Sequence, residues 1–385
     1  MKVNGLENIN NIVDKCDQLL NFLEKQGKTP NDNKVMEKLF SIKESSELVK
    51  KDRDAIYRAE KKGVFLTNRD PITKRTKGLT LDQINVLREH FGTTPKSNKC
   101  IKIAIQSFKG GVAKSVTSVH MAQYFAKQGY RVLLVDFDPQ ASATSSFGFL
   151  PDNAFSEKDT MLPYLQGLKK DINYCIIDTY FPKLKLIPCC LPFYDAEFQL
   201  AFAAAEARNS EEKLGYFTEF RDAFDTIDNN YDLIIFDSPP ALGMITINIL
   251  TSADALIIPT PPALYDFSST VQYFKMIQKV LKNIDPNKQY QFIKILITRA
   301  DTRKTIHKEF IKLMKEIFSE NIFSSIFFQT SEIESYSARF KTIYDLNKPQ
   351  KRALEILESM FEEIKLEVLQ YRAVIDKKHK DLNNE

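Results

Sequence analysis

Between Ile101 and Ser115 the chain sets two adjacent glycines, Gly110 and Gly111, between two lysines, Lys109 and Lys114, and follows the second lysine with the hydroxyl of Ser115. These residue types at this spacing suit one task, which is holding a polyphosphate. Glycines let the main chain approach an anion closely, the N–H groups that open a helix point at it, and a lysine adds a point charge. A serine directly after that lysine is placed to bind Mg²⁺ through its hydroxyl. The flanking residues supply the elements that would position such a loop. Ile101 to Ile105 alternates and is rich in Ile, so it reads as a strand. After Ser115, Val119, Ala122, Phe125 and Ala126 recur at helical spacing until Gly129. The nucleotide-binding candidates are Lys109, Gly110, Gly111, Val112, Ala113, Lys114, Ser115 and Val116.

Acidic partners follow. Tyr130 to Val135 is a near-continuous apolar run that closes on Asp136 and Asp138, and Tyr231 to Phe236 is a second run that closes on Asp237. Such runs indicate strands of a parallel sheet covered on both faces. Acids at the carboxyl ends of those strands lie where ligands bind in open α/β sheets, although two such aspartates can also be solvated loop caps. Pro239 and Pro240 turn the chain out of the sheet after Asp237. Ala255 to Pro262 and Ile293 to Arg299 read as further strands.

The loop departs from the usual phosphate-loop spacing, which wants glycine where this chain has Ser107 and Ala113. Lys109-Gly110-Gly111-Val112-Ala113-Lys114-Ser115 instead resembles the deviant Walker A loop, KGGxxK[S/T], of the ParA/MinD ATPases. Asp136-Phe137-Asp138-Pro139-Gln140 resembles that family's DxDPQ motif, and Asp237 its Walker B acid. The likeness extends over about residues 40–370 and points to ParA-type plasmid or chromosome partition ATPases of the larger subtype. It implies an α/β, P-loop NTPase-like fold, with a mainly parallel twisted sheet flanked by helices and an N-terminal all-α or winged helix-turn-helix domain. It also implies ATP and Mg²⁺ as cofactors and a homodimer that closes around ATP. Lys109 would reach the phosphates of the facing subunit, Lys114 would act within its own loop, and Asp138 would orient the attacking water. Ser115, Asp136 and Asp237 would serve the metal. Hydrolysis would be slow and stimulated by a ParB-type centromere-binding protein, and the protein would be cytoplasmic and nucleoid-associated.

Charge supports a polyanion partner for the N-terminal part. The net charge is +4, yet residues 1–99 hold 20 Lys+Arg against 14 Asp+Glu. Three parts are expected, namely an N-terminal helix within residues 1–40, a winged helix-turn-helix within 41–95 and an ATPase domain over 100–385, with the boundary near Pro95. Leu6, Ile9, Val13, Cys16, Leu20 and Leu23 form one apolar stripe, which must bury against its own domain or in a dimer. Ser41 with Glu44 forms a capping box for a short helix, and Asp52 caps a second. Ile42, Ser46, Val49, Ile56 and Ala59 would face inward. Arg53, Tyr57, Arg58, Lys61 and Lys62 are the DNA-binding candidates of the second helix, although its turn carries Lys50 where glycine is expected. Val64 to Thr67 reads as a strand leading into a basic wing with Arg75 and Lys77, and Thr80 with Gln83 caps a closing helix that stops at Gly92. By the resemblance, Arg339, Lys341, Lys351 and Arg352 are candidates for sequence-independent DNA contact.

The rest of the chain is less informative. An Ala-rich helix from Glu197 through Ala207 reads as buried, and a final helix spans Ala353 to Ile375. The five cysteines have no metal spacing and read as reduced thiols, with Cys189 and Cys190 in packing roles. No signal segment and no apolar run of about 18 residues is present, so a soluble intracellular protein is expected, with no membrane partner. Two rivals differ in class. A MinD-like membrane ATPase needs a basic amphipathic C-terminal helix, whereas this tail carries Glu355, Glu358, Glu362, Glu363 and Glu367. A repressor with a vestigial nucleotide site is the other, because a non-Gly residue at Ala113 held at positive φ costs roughly 1–2 kcal/mol.

Overall fold

The computed structural model describes all residues except 1–4, 26–33, 68, 70–71, 73–75, 96–98, 302, 329–332, 334–335, 337–339 and 383–385. Arg75 and Arg339 therefore lie outside the described residues. The N-terminal part contains α1 (Gly5–Lys25), α2 (Ile42–Val49), α3 (Arg53–Lys61) and α4 (Leu81–Phe91). Next come β1 (Ile101–Ile105), α5 (Lys114–Lys127), β2 (Val132–Asp136), β3 (Ile177–Asp178), β4 (Leu184–Ile187) and α6 (Asp195–Glu206). The chain continues through β5 (Leu233–Asp237), α7 (Met244–Ser252), β6 (Ala255–Thr260), α8 (Leu264–Ile284), β7 (Phe292–Ala300), α9 (Thr305–Phe318), β8 (Ile322–Phe328) and α10 (Lys351–Leu382).

The strands form one sheet in the order β3-β4-β2-β5-β1-β6-β7-β8, parallel except for the antiparallel β3–β4 pair. Every residue of β1, β2, β5 and β6 is buried. Their period of two divides the core cleanly. Ile101, Ile103, Ile105, Leu134 and Ile235 face α5 and α10, whereas Ala104, Leu133, Val135, Ile234 and Phe236 face α6, α7 and α8. Because β1 lies between β5 and β6, successive crossovers leave it on opposite sides, and a crevice opens at its carboxyl end.

The two capping boxes are formed, with Ser41 Oγ accepting from Glu44 N and Thr80 Oγ1 from Gln83 N. Lys50 adopts the left-handed conformation at the end of α2, with φ 56°. Ser45, not Ser46, is the buried small residue of α2, because it lies four residues before Val49 on the inward face. Val64 to Thr67 forms no strand. Leu66 is exposed, no strand among the described residues pairs with this segment, and of the expected wing the described residues show a bridge between Arg69 and Thr76. Along the stripe on α1, Leu6, Ile9 and Val13 are exposed among the described residues. Helix α6 is not buried either. Only Ala196, Leu200 and Ala204 are enclosed, one stripe at a spacing of four, while Phe198 and Phe202 face outward.

Helices α2, α3 and α4 do not stand apart from the sheet. Val49, Ile56, Ile84 and Leu87 belong to the same apolar cluster as Val119, Phe125 and Phe361. Arg88 fixes this junction. It is buried, and it donates to Lys127 O at 2.6 Å, Asn85 Oδ1 at 2.7 Å and Leu48 O at 3.3 Å. Burial lowers its pKa to about 10, so it stays charged at neutral pH and saturates the carboxyl end of α5. A side chain at Gly129 would meet Arg88 atoms at 3.0–3.1 Å, which explains the glycine that ends α5.

Within α5, His120 is sealed between the helix and residues 343–344. Its Nδ1 lies 2.8 Å from Val116 O and its Nε2 3.4 Å from Ile343 N, so the ring donates at Nδ1 and accepts at Nε2 as a neutral imidazole. Burial brings its pKa down to about 4. The folded value is below the unfolded value of about 6.5, so the contribution is intact above pH 6.5 and is lost as the pH falls toward 4. Between pH 7.5 and 5 this amounts to about 2 kcal/mol. Urea titrations at the two pH values should show that loss in the wild type, and His120→Gln should remove most of it. An equal acid loss in both proteins would assign it to other groups.

Candidate nucleotide-binding site

The loop between β1 and α5 lies in the crevice, held from both sides. Ser238, just past β5, donates to Ile105 O at 2.6 Å, and Gln106 N donates to Ile257 O of β6 at 3.0 Å. At the end of β7, Thr298 Oγ1 donates to Val112 O at 3.0 Å and Arg299 Nη1 to Gly111 O at 2.5 Å. These bonds hold the carbonyls of Gly111 and Val112 toward the end of β7. Gly111 and Ala113 both have φ of 71°. At Gly110 the space a side chain would fill is open, which leaves room for close approach of a ligand.

Lys114 is buried, and its Nζ donates to Lys109 O at 3.1 Å. Burial lowers its pKa, opposed by the charges of Asp237 and Asp138. Asp136 and Asp237 are paired across β2 and β5, and both are buried. Asp136 is fully engaged. Its Oδ1 accepts from Asp138 N at 3.1 Å, and its Oδ2 accepts from Thr144 N at 2.8 Å and Thr144 Oγ1 at 2.7 Å. Asp237 Oδ1 accepts from Ser118 Oγ at 2.9 Å, and Ser115 is its other hydroxyl neighbour. Its Oδ2 is buried with no hydrogen-bond partner among the described residues. Desolvation raises the pKa of both carboxylates, and the hydroxyls and Lys114 resist this at Asp237. A buried, unpartnered carboxylate oxygen beside a serine hydroxyl fits a hydrated divalent cation. Asp138 lies at the mouth of the crevice, half-buried, with its Oδ1 accepting from Gln140 N at 3.0 Å.

The ammonium of Lys109 pairs with Asp266 in the first turn of α8 of the same chain. Asp266 opens a segment, Asp266 to Thr270, that resembles the family's pattern, but its contact with Lys109, like those of Thr298 and Arg299 with the loop, arises only where distant strands meet there. Glu197 is a further case. It accepts from Met244 N at 2.6 Å and Ile245 N at 3.3 Å, so it caps the helix that follows the Asp237 loop. A side chain on Gly243 would meet that carboxylate at 2.3–2.5 Å.

The other candidates occupy two separate stretches. Arg53, Tyr57, Arg58, Lys61 and Lys62 are exposed on or at the end of α3, and Lys77 is exposed beyond the Arg69–Thr76 bridge. Lys341, Lys351 and Arg352 are exposed just before or at the start of α10, where Lys351 lies 3.6 Å from Glu355.

A family model described as "AAA domain" matches residues 100–292. Protein SopA of Escherichia coli (strain K12) is 32% identical over 339 residues, covering 84% of this chain and 86% of SopA. Chromosome partitioning protein ParA of Myxococcus xanthus is 30% identical over 224 residues, covering 58% of this chain and 74% of that protein. The chain belongs to the ParA-type family of partition ATPases. A solved structure called "Partition Protein" shares the fold over 96% of this chain and 99% of that one, with a TM-score of 0.62 and 19% identity. In this member of the ParA-type family the left-handed position before the loop lysine is held by alanine.

The Ala113 methyl packs against the core. Replacing it with glycine relieves roughly 1–2 kcal/mol of left-handed strain. It also forfeits about 0.8 kcal/mol of methyl burial and loosens the unfolded chain by about 0.4–1 kcal/mol. Ala113→Gly should thus leave stability within about 1 kcal/mol of wild type and keep nucleotide binding, as read by thermal melts and a fluorescent-ATP titration. Loss of binding would mean that the methyl positions the loop.

Proposed function

We propose that this protein is a nucleotide-switched DNA-partition ATPase that binds ATP with Mg²⁺, closes as a homodimer and holds DNA until hydrolysis releases it. The unpartnered Asp237 oxygen beneath Lys114 and Ser115 is the observation that carries this reading. Lys114 and the loop N–H groups neutralise charge that builds on the β–γ bridge. Asp138 orients the water that attacks the γ-phosphorus, whereupon the bond to the bridging oxygen breaks and ADP leaves. Ser115 and Asp237 would hold the magnesium, and Asp136 supports them from behind by fixing the Asp138 turn. When bound, the metal supplies charge stabilisation at the β- and γ-oxygens.

The exposed apolar residues Phe108, Leu264 and Tyr265, on the two segments that flank the Lys109–Asp266 pair, favour a closing dimer whose partner covers them. Slow turnover, stimulated by a ParB-type centromere-binding protein, suits a switch, and residence on the nucleoid follows from DNA binding. Among the described residues no helix is long and apolar enough to cross a membrane. The capped pair α2–α3, with its basic outer face, would read an operator and allow autorepression, while the segment around Lys341 to Arg352 would hold any duplex.

Substitutions separate these roles. Lys114→Ala should abolish ATP binding, whereas Asp138→Ala should bind ATP and accumulate as a closed dimer on DNA. Normal turnover in Asp138→Ala would place the water elsewhere. Arg53→Ala or Arg58→Ala should weaken operator binding by roughly 1–3 kcal/mol and leave binding to random duplex unchanged, measured by anisotropy at two salt concentrations. Because the N-terminal helices share the sheet's core, these single substitutions test operator reading better than deletion of residues 1–99. Equal losses on both duplexes would make α3 a phosphate-binding surface only.

A further inference from the structure

Lys109 is gripped at both of its ends. Its carbonyl accepts Lys114 Nζ at 3.1 Å, and its ammonium pairs with Asp266. Asp266 stands on a fixed platform. Its own carbonyl accepts from Thr270 Oγ1 at 3.2 Å, and that hydroxyl lies 3.3 Å from Thr260 Oγ1 at the end of β6. The two halves of the grip answer to different ligands. A polyphosphate entering the loop competes with the Lys109 carbonyl for Lys114. An anion that lies beyond the reach of the Asp266 carboxylate can take the Lys109 ammonium only if the side chain swings away from Asp266. The Lys109 side chain is 44% exposed and that of Asp266 19%, so the pair sits at the surface that a second subunit would approach.

We propose that Asp266 is a positioning residue that latches Lys109 to its own subunit, so that closing the dimer requires exchange of this carboxylate for a phosphate of the facing subunit's nucleotide. The latch rests on the reading of Lys109 as a residue that acts across the dimer. It sets the ATP concentration at which closure occurs without altering how a single subunit first binds ATP. A part-exposed ion pair is weak, so the expected shift is modest, about three- to fivefold.

The test uses the full-length protein and ATP-Mg²⁺ at low salt. ATP affinity is read on dilute protein with a fluorescent analogue, and closure by analytical ultracentrifugation across an ATP titration. Asp266→Asn should close at about three- to fivefold lower ATP, with single-subunit affinity unchanged within about twofold. Asp266→Glu, which keeps the charge, should follow the wild type. The gain from Asp266→Asn should vanish in a Lys109→Ala background, where no ammonium remains to be held. Raising the salt should narrow the difference between wild type and Asp266→Asn, because screening weakens the latch. An Asp266→Asn protein that closes at the same or higher ATP than wild type overturns the latch alone. A wild type that never dimerises with ATP overturns the dimer reading and the latch with it.

Discussion

Two carboxylates buried side by side organise this molecule. Asp136 and Asp237 are neighbours across β2 and β5, both buried, where like charges repel and burial disfavours the ionised form. The structure makes the pair tolerable by giving the two groups different work. Asp136 spends both oxygens on Thr144 and the Asp138 turn, so its charge is dispersed into fixed dipoles. Asp237 accepts from Ser118, has the Ser115 hydroxyl and the field of Lys114 beside it, and keeps its Oδ2 without a hydrogen-bond partner among the described residues. The arrangement is complete only with further positive charge in the crevice. A fold built around an incomplete electrostatic site is suited to report the arrival of a charged ligand.

Helix α5 carries that site into the rest of the protein. Its first turn follows the Gly110-Gly111 loop and begins at Lys114, its middle is sealed by neutral His120, and its last carbonyl is held by Arg88 from α4. One rod of 14 residues therefore runs from the Gly110-Gly111 loop on one side to the core shared with α2, α3 and α4 on the other. Two features of the opposite sheet face meet the same loop region. Glu197 of α6 caps α7, which starts just after the Asp237 strand, and α8 delivers Asp266 to Lys109.

What the residues determined by themselves is what depends on near neighbours in the chain. The Gly110-Gly111 loop, the capping boxes at Ser41 and Thr80, and the apolar runs ending in Asp136 and Asp237 are legible because each is a local arrangement of turn chemistry, caps or periodicity. The strand order, β3 and the edge strand β8 were not legible, since pairing in a sheet is decided by partners far away in sequence. The same holds for burial: α6 has the composition of an inner helix but covers the sheet with one stripe only, and Val64 to Thr67 has strand-forming residues that pair with no strand among the described residues. The site divides along the same line. Lys114 and Asp237 could be named from their motifs, but that Asp237 keeps a bare oxygen, that Arg88 closes α5, and that Lys109 is held by a residue 157 positions away are consequences of tertiary contact. Charge and hydrogen bonding act through space, and a motif records only the groups that the chain itself brings close.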